Sequence, residues 1–523
     1  MMWRFIILLL WLCICSFEGN AFASEIAVMR QLFPIAETYQ NKGRFLEALS
    51  FYRDIVLNAG DAQVPAALYK NIGDIYYEFL ESYDQALFCY RKQLDKFPQD
   101  SHTPEIRHRI ARILYIQGDR DKAFEYYQAL LSSYPDYCKK NSIAEEMDKV
   151  KKGDAVFLGR DLIADQAFSQ QIRVLLKDDA DTVALSAKDG LEFFTAAQGS
   201  LSKSAAGEAI SFRAEKAGMY INNYGPVQGP VLIKAKGHEC IEIDKKPYRC
   251  MLQVYLQDGK LMLVNHVPLE DYLYGVVSKE VPASWPDAAL KAQAIAARTY
   301  ALYTMVKRNK VRYDLFSTVA SQVYGGKDSE KDSSRTAVDE TKSLVLSYNN
   351  SLTYTLYHSN SGGKTASADE IWGWQAPYLA CKQDDFSIDM KGFQWECSLA
   401  GNDLLENYKQ FGVPLPAIKN IFPLERGPSG RIQKLGIETG GQTVYLSGNS
   451  FRLMTGPGKI KSSQCMVTGK EQKFSFEGRG FGHGAGMSQW GACQMARKGH
   501  SFEQILQFYY PGTKIVKVHY QGY

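Results

Sequence analysis

The chain lacks a dense basic stripe. Its 61 Lys and Arg stand against 57 Asp and Glu, leaving a formal net charge of +4 over 523 residues, which excludes the electrostatic footprint of a nucleic-acid binder. No C-x-x-C spacing occurs among its ten cysteines, so a zinc ribbon is not indicated. Beyond the first residues no stretch is apolar enough to span a bilayer, which takes roughly 20 residues. The run Phe5 to Cys15 is itself too short for comfort. It follows Arg4 and precedes Ala21-Phe22-Ala23, the order of an export signal, with cleavage expected after Ala23. Ile14 precedes Cys15 where a lipid-anchored protein would carry a small residue. Export permits disulfides. Cys240/Cys250 and Cys381/Cys397 are the closest pairs, but spacing leaves their connectivity open.

What is present suits a globular protein of two to four domains. Residues 25–138 repeat. Gly43-Arg44-Phe45-Leu46-Glu47-Ala48 is followed by Tyr52, Ser82-Tyr83-Asp84-Gln85-Ala86 by Tyr90, and Gly118-Asp119-Arg120-Asp121-Lys122-Ala123 by Tyr127. The alanines recur at intervals of 38 and 37 positions, and the later units close on Phe97-Pro98 and Tyr134-Pro135. Small residues let paired helices cross closely, tyrosines fill the gaps, and proline stops the second helix. The pattern resembles tetratricopeptide repeats, arms that generally bind protein segments. One such hairpin cannot bury its apolar face alone, so about three in a row form a stable arm.

Residues 139–254 read as a linker and a β-rich segment. Ile172 to Leu176 and Val231 to Ile233 are strand-like. Met251 to Leu256, Asp258-Gly259 and Leu261 to Val264 spell a hairpin, the Asp-Gly pair supplying its positive-φ turn.

The chemistry lies in residues 255–523. Ser278-Lys279-Glu280-Val281-Pro282-Ala283 leads into an alanine-rich helix, with Ser284, Pro286 and Asp287 as start signals. It contains Lys291-Ala292-Gln293-Ala294-Ile295-Ala296-Ala297-Arg298-Thr299-Tyr300. Glu280 is expected on the short connection before that helix, hemmed by Val281, Pro282 and Trp285. About 200 residues on comes Gly478-Arg479-Gly480-Phe481-Gly482-His483-Gly484-Ala485-Gly486-Met487-Ser488-Gln489-Trp490-Gly491-Ala492. Glycines let backbone N–H groups approach a ligand. Phe481 and Trp490 can stack on a sugar, and His483 and Gln489 can hydrogen-bond one. A nucleotide loop is not supported, because no strand–loop–helix context with an acidic partner is evident.

These two blocks resemble the SpoIID/LytB family. The resemblance covers roughly residues 255–523 and implies an α+β fold, with a SpoIID-like catalytic domain behind a β-rich lead-in and an N-terminal all-α repeat arm. It implies a peptidoglycan lytic transglycosylase cutting between N-acetylmuramic acid and N-acetylglucosamine, with Glu280 as acid/base and Arg298 beside it. A single carboxyl suffices for that reaction, since the sugar's own C6 hydroxyl attacks. A hydrolase would need a second carboxylate, for which Asp369, Glu370 and Asp271 are the candidates. At an ordinary pKa of about 4.3, roughly one glutamate in 500 is protonated at pH 7. Burial that raises it to about 6 makes this roughly one in ten. An arginine touching Glu280 would oppose the rise, so Arg298 is expected to contact substrate or backbone in the acid stage or to stabilise the carboxylate afterwards, the alternative being an ion pair that holds the helix.

A third block, Tyr357-His358-Ser359-Asn360-Ser361-Gly362-Gly363-Lys364-Thr365, imitates a phosphate loop but places His358 where the first glycine is required. Family members carry a similar block, some holding zinc through a histidine and two nearby cysteines. Here the next cysteines stand 23 and 39 positions beyond His358, so no metal or other cofactor is expected. His358 and Ser359 are expected to contact sugar, and Tyr324, Trp372 and Trp374 are candidate stacking surfaces, although an aromatic of this kind more often belongs to the core. The alternative from another class is a peptidoglycan-binding enhancer or scaffold for a wall amidase, engaged through the repeat arm.

Overall fold

The computed structural model describes residues 28, 30–59, 64–153, 167–195, 199–227, 229–238, 240–308, 311–388, 392–470 and 472–520. The expected export signal lies outside these. The chain forms two compact units, residues 1–160 with 358–485, and residues 161–357 with 486–523.

In the first unit the repeats fold as consecutive helices, residues 30–41, then Phe45–Ala59, Leu68–Asp74 continuing through Ile75–Phe79, Tyr83–Lys96, Thr103–Ile116 and Arg120–Ser133. Ala48, Ala86 and Ala123 are fully buried, as are Tyr52, Tyr90 and Tyr127, so the repeating positions are the helix contacts. Pro135–Lys140 and Ile143–Lys152 extend the arm.

The arm is docked onto the second half of its own unit. Asn58 behaves as an extra residue of a sheet: its Nδ2 donates to the Tyr445 carbonyl at 2.6 Å and its Oδ1 accepts from the Tyr445 amide at 2.9 Å. Tyr445 belongs to the strand Thr443–Leu446, at the edge of a three-stranded sheet with Ile432–Glu438 and Asn420–Arg426. The buried Asp54 accepts from the Ser447 amide at 2.7 Å. Tyr76 donates to the Trp372 and Gly373 carbonyls at 3.2 and 3.1 Å. A second sheet, Gln394–Ala400, Lys473–Arg479 and Cys465–Lys470, completes this half.

The other unit begins as a sandwich. Among the described residues, one sheet has seven strands, with Gln171–Ala180, Lys260–Pro268 and Met251–Gln257 adjacent, and its companion has six. Leu191, Phe193, Val254 and Leu263 from the first meet Val183, Phe212 and Ile243 from the second in one apolar core. The hairpin forms as expected, Asp258 and Gly259 turning with φ of 51° and 75°. The strand Met251–Gln257 pairs on its other side with Val231–Ala235, so the sheet runs continuously through position 255.

Lys260–Pro268 runs straight into the helix Leu269–Glu280, followed by Asp287–Lys307. Alanines at 289, 292, 294, 296, 297 and 301 are all buried, which lets Leu269–Glu280, Asp332–Glu340, Gln489–Arg497 and Phe502–Tyr509 pack around this helix at short range. Among the described residues, no helix is long and apolar enough to cross a membrane.

Candidate active site

Glu280 is the last residue of the helix Leu269–Glu280, not part of the connection that follows it. The local cause is Pro282, which disfavours helical backbone at Val281, and Val281 is extended. Pro286 rather than Ser284 takes the position before the next helix. A helix C-terminus carries partial negative charge and is a poor home for a second one. Glu280 retains some accessible surface, yet burial of its carboxyl raises its pKa, while hydrogen bonds from Val323 and Gln489 pull the other way. The Val323 amide donates to Oε1 at 2.8 Å, and Gln489 Nε2 to Oε2 at 3.3 Å.

Gln489 is placed by its own helix, Gln489–Arg497, whose first turn is capped by the Ser488 side chain accepting from the Gly491 amide. The next residue, Trp490, meets Trp285 edge to face at 5.0 Å. Val323 is held through its neighbour. Gln322 accepts from Tyr272 at 3.2 Å and donates to Tyr357 at 3.0 Å and to the Ala297 carbonyl at 3.2 Å. Sequence reasoning missed Gln322, Val323 and Tyr357 as site components. A backbone donor leaves no residue-type signal, and a lone glutamine or tyrosine leaves little.

Arg298 contacts backbone, as expected, but does so beside an ion pair that holds its helix and not beside Glu280. Its side chain is fully buried and pairs with Glu270, Nε at 3.0 Å and Nη2 at 2.8 Å. Its remaining bonds reach the Val338 and Leu344 carbonyls and Thr341. None reaches Glu280, so it does not oppose the raised pKa and is not placed to touch substrate. The reason is its position: it lies on the face of its helix that packs on Asp332–Glu340. Tyr324 is not a stacking surface. It is buried between Tyr248 and Tyr272, with ring centroids 5.9 and 5.0 Å away, and donates to Asn265, so its ring serves the core rather than a sugar face. Asp271 is half-buried, and burial raises its pKa beside Arg249 and Glu330.

His358, Ser359, Phe481 and His483 belong to the other unit. His358 is buried and its Nδ1 lies 3.1 Å from the Ala485 carbonyl. A carbonyl only accepts, which assigns the proton to Nδ1. Burial holds the His358 pKa well below the usual imidazole value, so the ring is neutral. Ser359 is half-buried. His483 accepts from the Ala485 amide at 3.1 Å, and its ring lies 5.5 Å from His358 and 5.2 Å from Trp372. Phe481 pairs its backbone with Asn360 in both directions. The glycines of this block allow close approach: a Cβ on Gly482 would meet His358, and one on Gly484 the Arg431 guanidinium. Trp372 and Trp374 are both buried. Asp369 is exposed, and Glu370 is buried against Ser429, whose hydroxyl and amide it accepts.

A desolvated carboxyl held by neutral donors is suited to give up one proton and take it back. An α+β core carrying such a carboxyl, behind a helical-repeat arm, is the class that fold and geometry define. A stage II sporulation protein model matches residues 257–348, a domain of unknown function residues 369–486, and a tetratricopeptide repeat residues 107–137. Stage II sporulation protein D of Bacillus subtilis is 32% identical over 267 residues, 48% of this chain and 75% of that protein. The amidase enhancer of Bacillus subtilis is 32% identical over 289 residues, 46% of this chain and only 40% of that protein. An uncharacterized protein of Brachyspira hyodysenteriae is 29% identical over 311 residues, 59% of this chain and 82% of that protein. The chain belongs to the stage II sporulation protein D family. The zinc that some members hold through one histidine and two cysteines finds no matching donors: among the described residues no three His, Cys, Asp or Glu side chains converge.

Proposed function

We propose that this protein is an exported cell-wall enzyme that cleaves peptidoglycan glycan strands as a lytic transglycosylase. The observation that carries the reading is the Glu280 carboxyl, whose pKa is raised by burial and which, among the described residues, is held by neutral donors. Protonated Glu280 gives its proton to the oxygen joining N-acetylmuramic acid to N-acetylglucosamine. The C–O bond breaks as positive charge develops on the muramic ring. The C6 hydroxyl of that ring attacks C1, and Glu280 takes the hydroxyl proton, leaving a 1,6-anhydro end. One residue serves as acid and then base, and water is not consumed.

Gln489 and the Val323 amide hold the carboxyl in place and stabilise its charged form between the two proton transfers. Trp490, braced by Trp285, forms an aromatic wall beside it. Arg298 acts as a positioning residue, fixing Glu270 at the start of the helix that ends on Glu280. Ser359, Phe481 and His483 are assigned glycan contacts within their own unit, while the buried His358 braces the block through the Ala485 carbonyl instead of touching sugar.

The second reading, a non-catalytic enhancer of a wall amidase, is favoured by the likeness to an amidase enhancer and by the repeat arm. Incubating purified protein with isolated sacculi, with no partner added, separates the two. Release of soluble fragments by the wild type and none by Glu280→Gln supports the enzyme. No release by either supports the enhancer.

A further inference from the structure

The sheet Gln394–Ala400, Lys473–Arg479, Cys465–Lys470 has one buried face, where Trp395, Leu399, Phe474 and Phe476 join the core. Its other face is open. It borders a cleft of about 740 Å³ lined by Gln394, Glu396, Arg426, Met466, Glu477 and Arg479. Strand register places Glu396 directly opposite Glu477, with Met466 opposite Glu477 on the other side and Arg479 opposite Gln394. Like charges in directly opposed positions repel. Glu396, Glu477 and Arg479 are all exposed, and among the described residues none of the three makes a side-chain hydrogen bond or ion pair. Two carboxylates thus share one point of the cleft. An unpaired guanidinium stands two residues along the same strand from Glu477, roughly 7 Å away.

The cleft is also tied to the glycine blocks. Trp395 Nε1 donates to the Gly480 carbonyl at 3.1 Å, and its ring lies over Gly478, where a Cβ would collide with it. The Gln464 side chain, which lines the cleft, lies against Gly362. Strand Lys473–Arg479 therefore leads from the cleft directly into Gly480-Phe481-Gly482-His483.

We propose that this cleft binds the stem peptide that branches from peptidoglycan sugars, seating a residue with a free ammonium between Glu396 and Glu477 and a free carboxylate on Arg479. The proposal rests on the reading of peptidoglycan as the ligand of this chain. Charge pattern decides for the peptide over the glycan. N-acetylated sugars carry no ammonium to meet two carboxylates, and the lactyl carboxyl of muramic acid, the acidic group of the glycan, is tied up as an amide wherever a stem peptide is attached. The wall's cross-linking peptide supplies a diamino residue with an ammonium and a carboxylate a few bonds apart, and the exposed Met466, held at its sulfur by Arg426, whose guanidinium is already bonded to the Cys465 carbonyl, offers its methylenes to the carbons between them. The cleft would let the protein distinguish strands that carry peptides from strands that do not.

The test is calorimetric titration of the full chain carrying Glu280→Gln, so that nothing is cleaved. The probes are a synthetic stem tetrapeptide with a free diamino side chain, the same peptide acetylated on that amine, and an N-acetylglucosamine tetramer. The free peptide is expected to bind. Arg479→Ala and Glu477→Gln are each expected to weaken it about tenfold, the scale of one charge-assisted hydrogen bond, with acetylation doing the same and the sugar tetramer unaffected by either variant. Both residues are exposed, and an unchanged melting temperature checks that the fold survives. Absence of peptide binding, or equal affinity in Arg479→Ala, overturns the proposal. Sacculus cleavage by the wild type is scored separately, so failure here leaves the enzymatic reading standing and failure there does not imitate failure here.

Discussion

Gln489 donates to the Glu280 carboxylate at 3.3 Å although 209 positions separate them. The bond joins the end of one helix to the start of another and ties together the two sequence blocks on which the family likeness rests. A hydrogen bond of this kind favours the charged carboxylate.

Gln489→Leu removes that bond and is expected to raise the Glu280 pKa further. The acid form then persists to higher pH. The alkaline limb of the kcat/KM profile should move up by roughly half to one pH unit, the equivalent of a hydrogen bond of about 1 kcal/mol, while the maximum rate falls as the carboxyl loses its orientation. The pH–rate profile on sacculi measures both. An alkaline limb that moves down would mean that Gln489 does not act on the charged form.

Glu280→Gln is expected to abolish cleavage and to stabilise the fold at neutral pH. The folded-state pKa is raised by burial. The stability that the acid form contributes is therefore fully present below the unfolded value and is lost as pH rises through the folded one. Each tenfold separation between the two constants corresponds to about 1.4 kcal/mol. Melting temperatures of wild type and variant should coincide at low pH and diverge above it, the variant being higher.

Much of this was legible beforehand, and the remainder fails for identifiable reasons. The alanine and tyrosine periods of the arm report helix contacts directly, because buried small and aromatic positions must recur wherever a unit stacks on its neighbour. Asp258-Gly259 reports its turn because few residue pairs accept that backbone. The apolar neighbours of Glu280 announce the burial of its carboxyl, though not its place at a helix end. Arg298 reaches backbone as expected, but sequence proximity on a helix does not say which face a side chain occupies, so its pairing with Glu270 left no sign. Tyr324 carries no sign of its side, because an aromatic in a site-bearing segment looks the same whether it faces sugar or core. The docking of the arm through Asn58 and Asp54 left no signal, since both lie within an ordinary amphipathic helix.

Arg298→Met is expected to destabilise the unit by about 3–5 kcal/mol, because it leaves Glu270 without its cation. Adding Glu270→Gln should recover part of the loss. Activity per folded molecule should change far less than stability, since Arg298 makes no bond to Glu280. Denaturant unfolding together with specific activity checks this. A complete loss of activity at full stability would restore Arg298 to the site chemistry.

Asp54 gives the docked arm a pH dependence. Its pKa is pushed up to about 7 by burial, against hydrogen bonds from Ser447 and Ser450. Stability contributed by its neutral form is full below about pH 4 and disappears as pH rises through about 7, a change on the order of 4 kcal/mol. Asp54→Asn should flatten this dependence. Hydrogen exchange of the Tyr445 and Ser447 amides across that range reports it locally.

The most direct test is mass spectrometry of the sugar ends released from sacculi by the purified chain in water enriched with heavy oxygen. The lytic route requires 1,6-anhydromuramic ends with no incorporated label, all lost in Glu280→Gln. Reducing ends carrying the heavy oxygen, or anhydro ends that persist in Glu280→Gln, would contradict it.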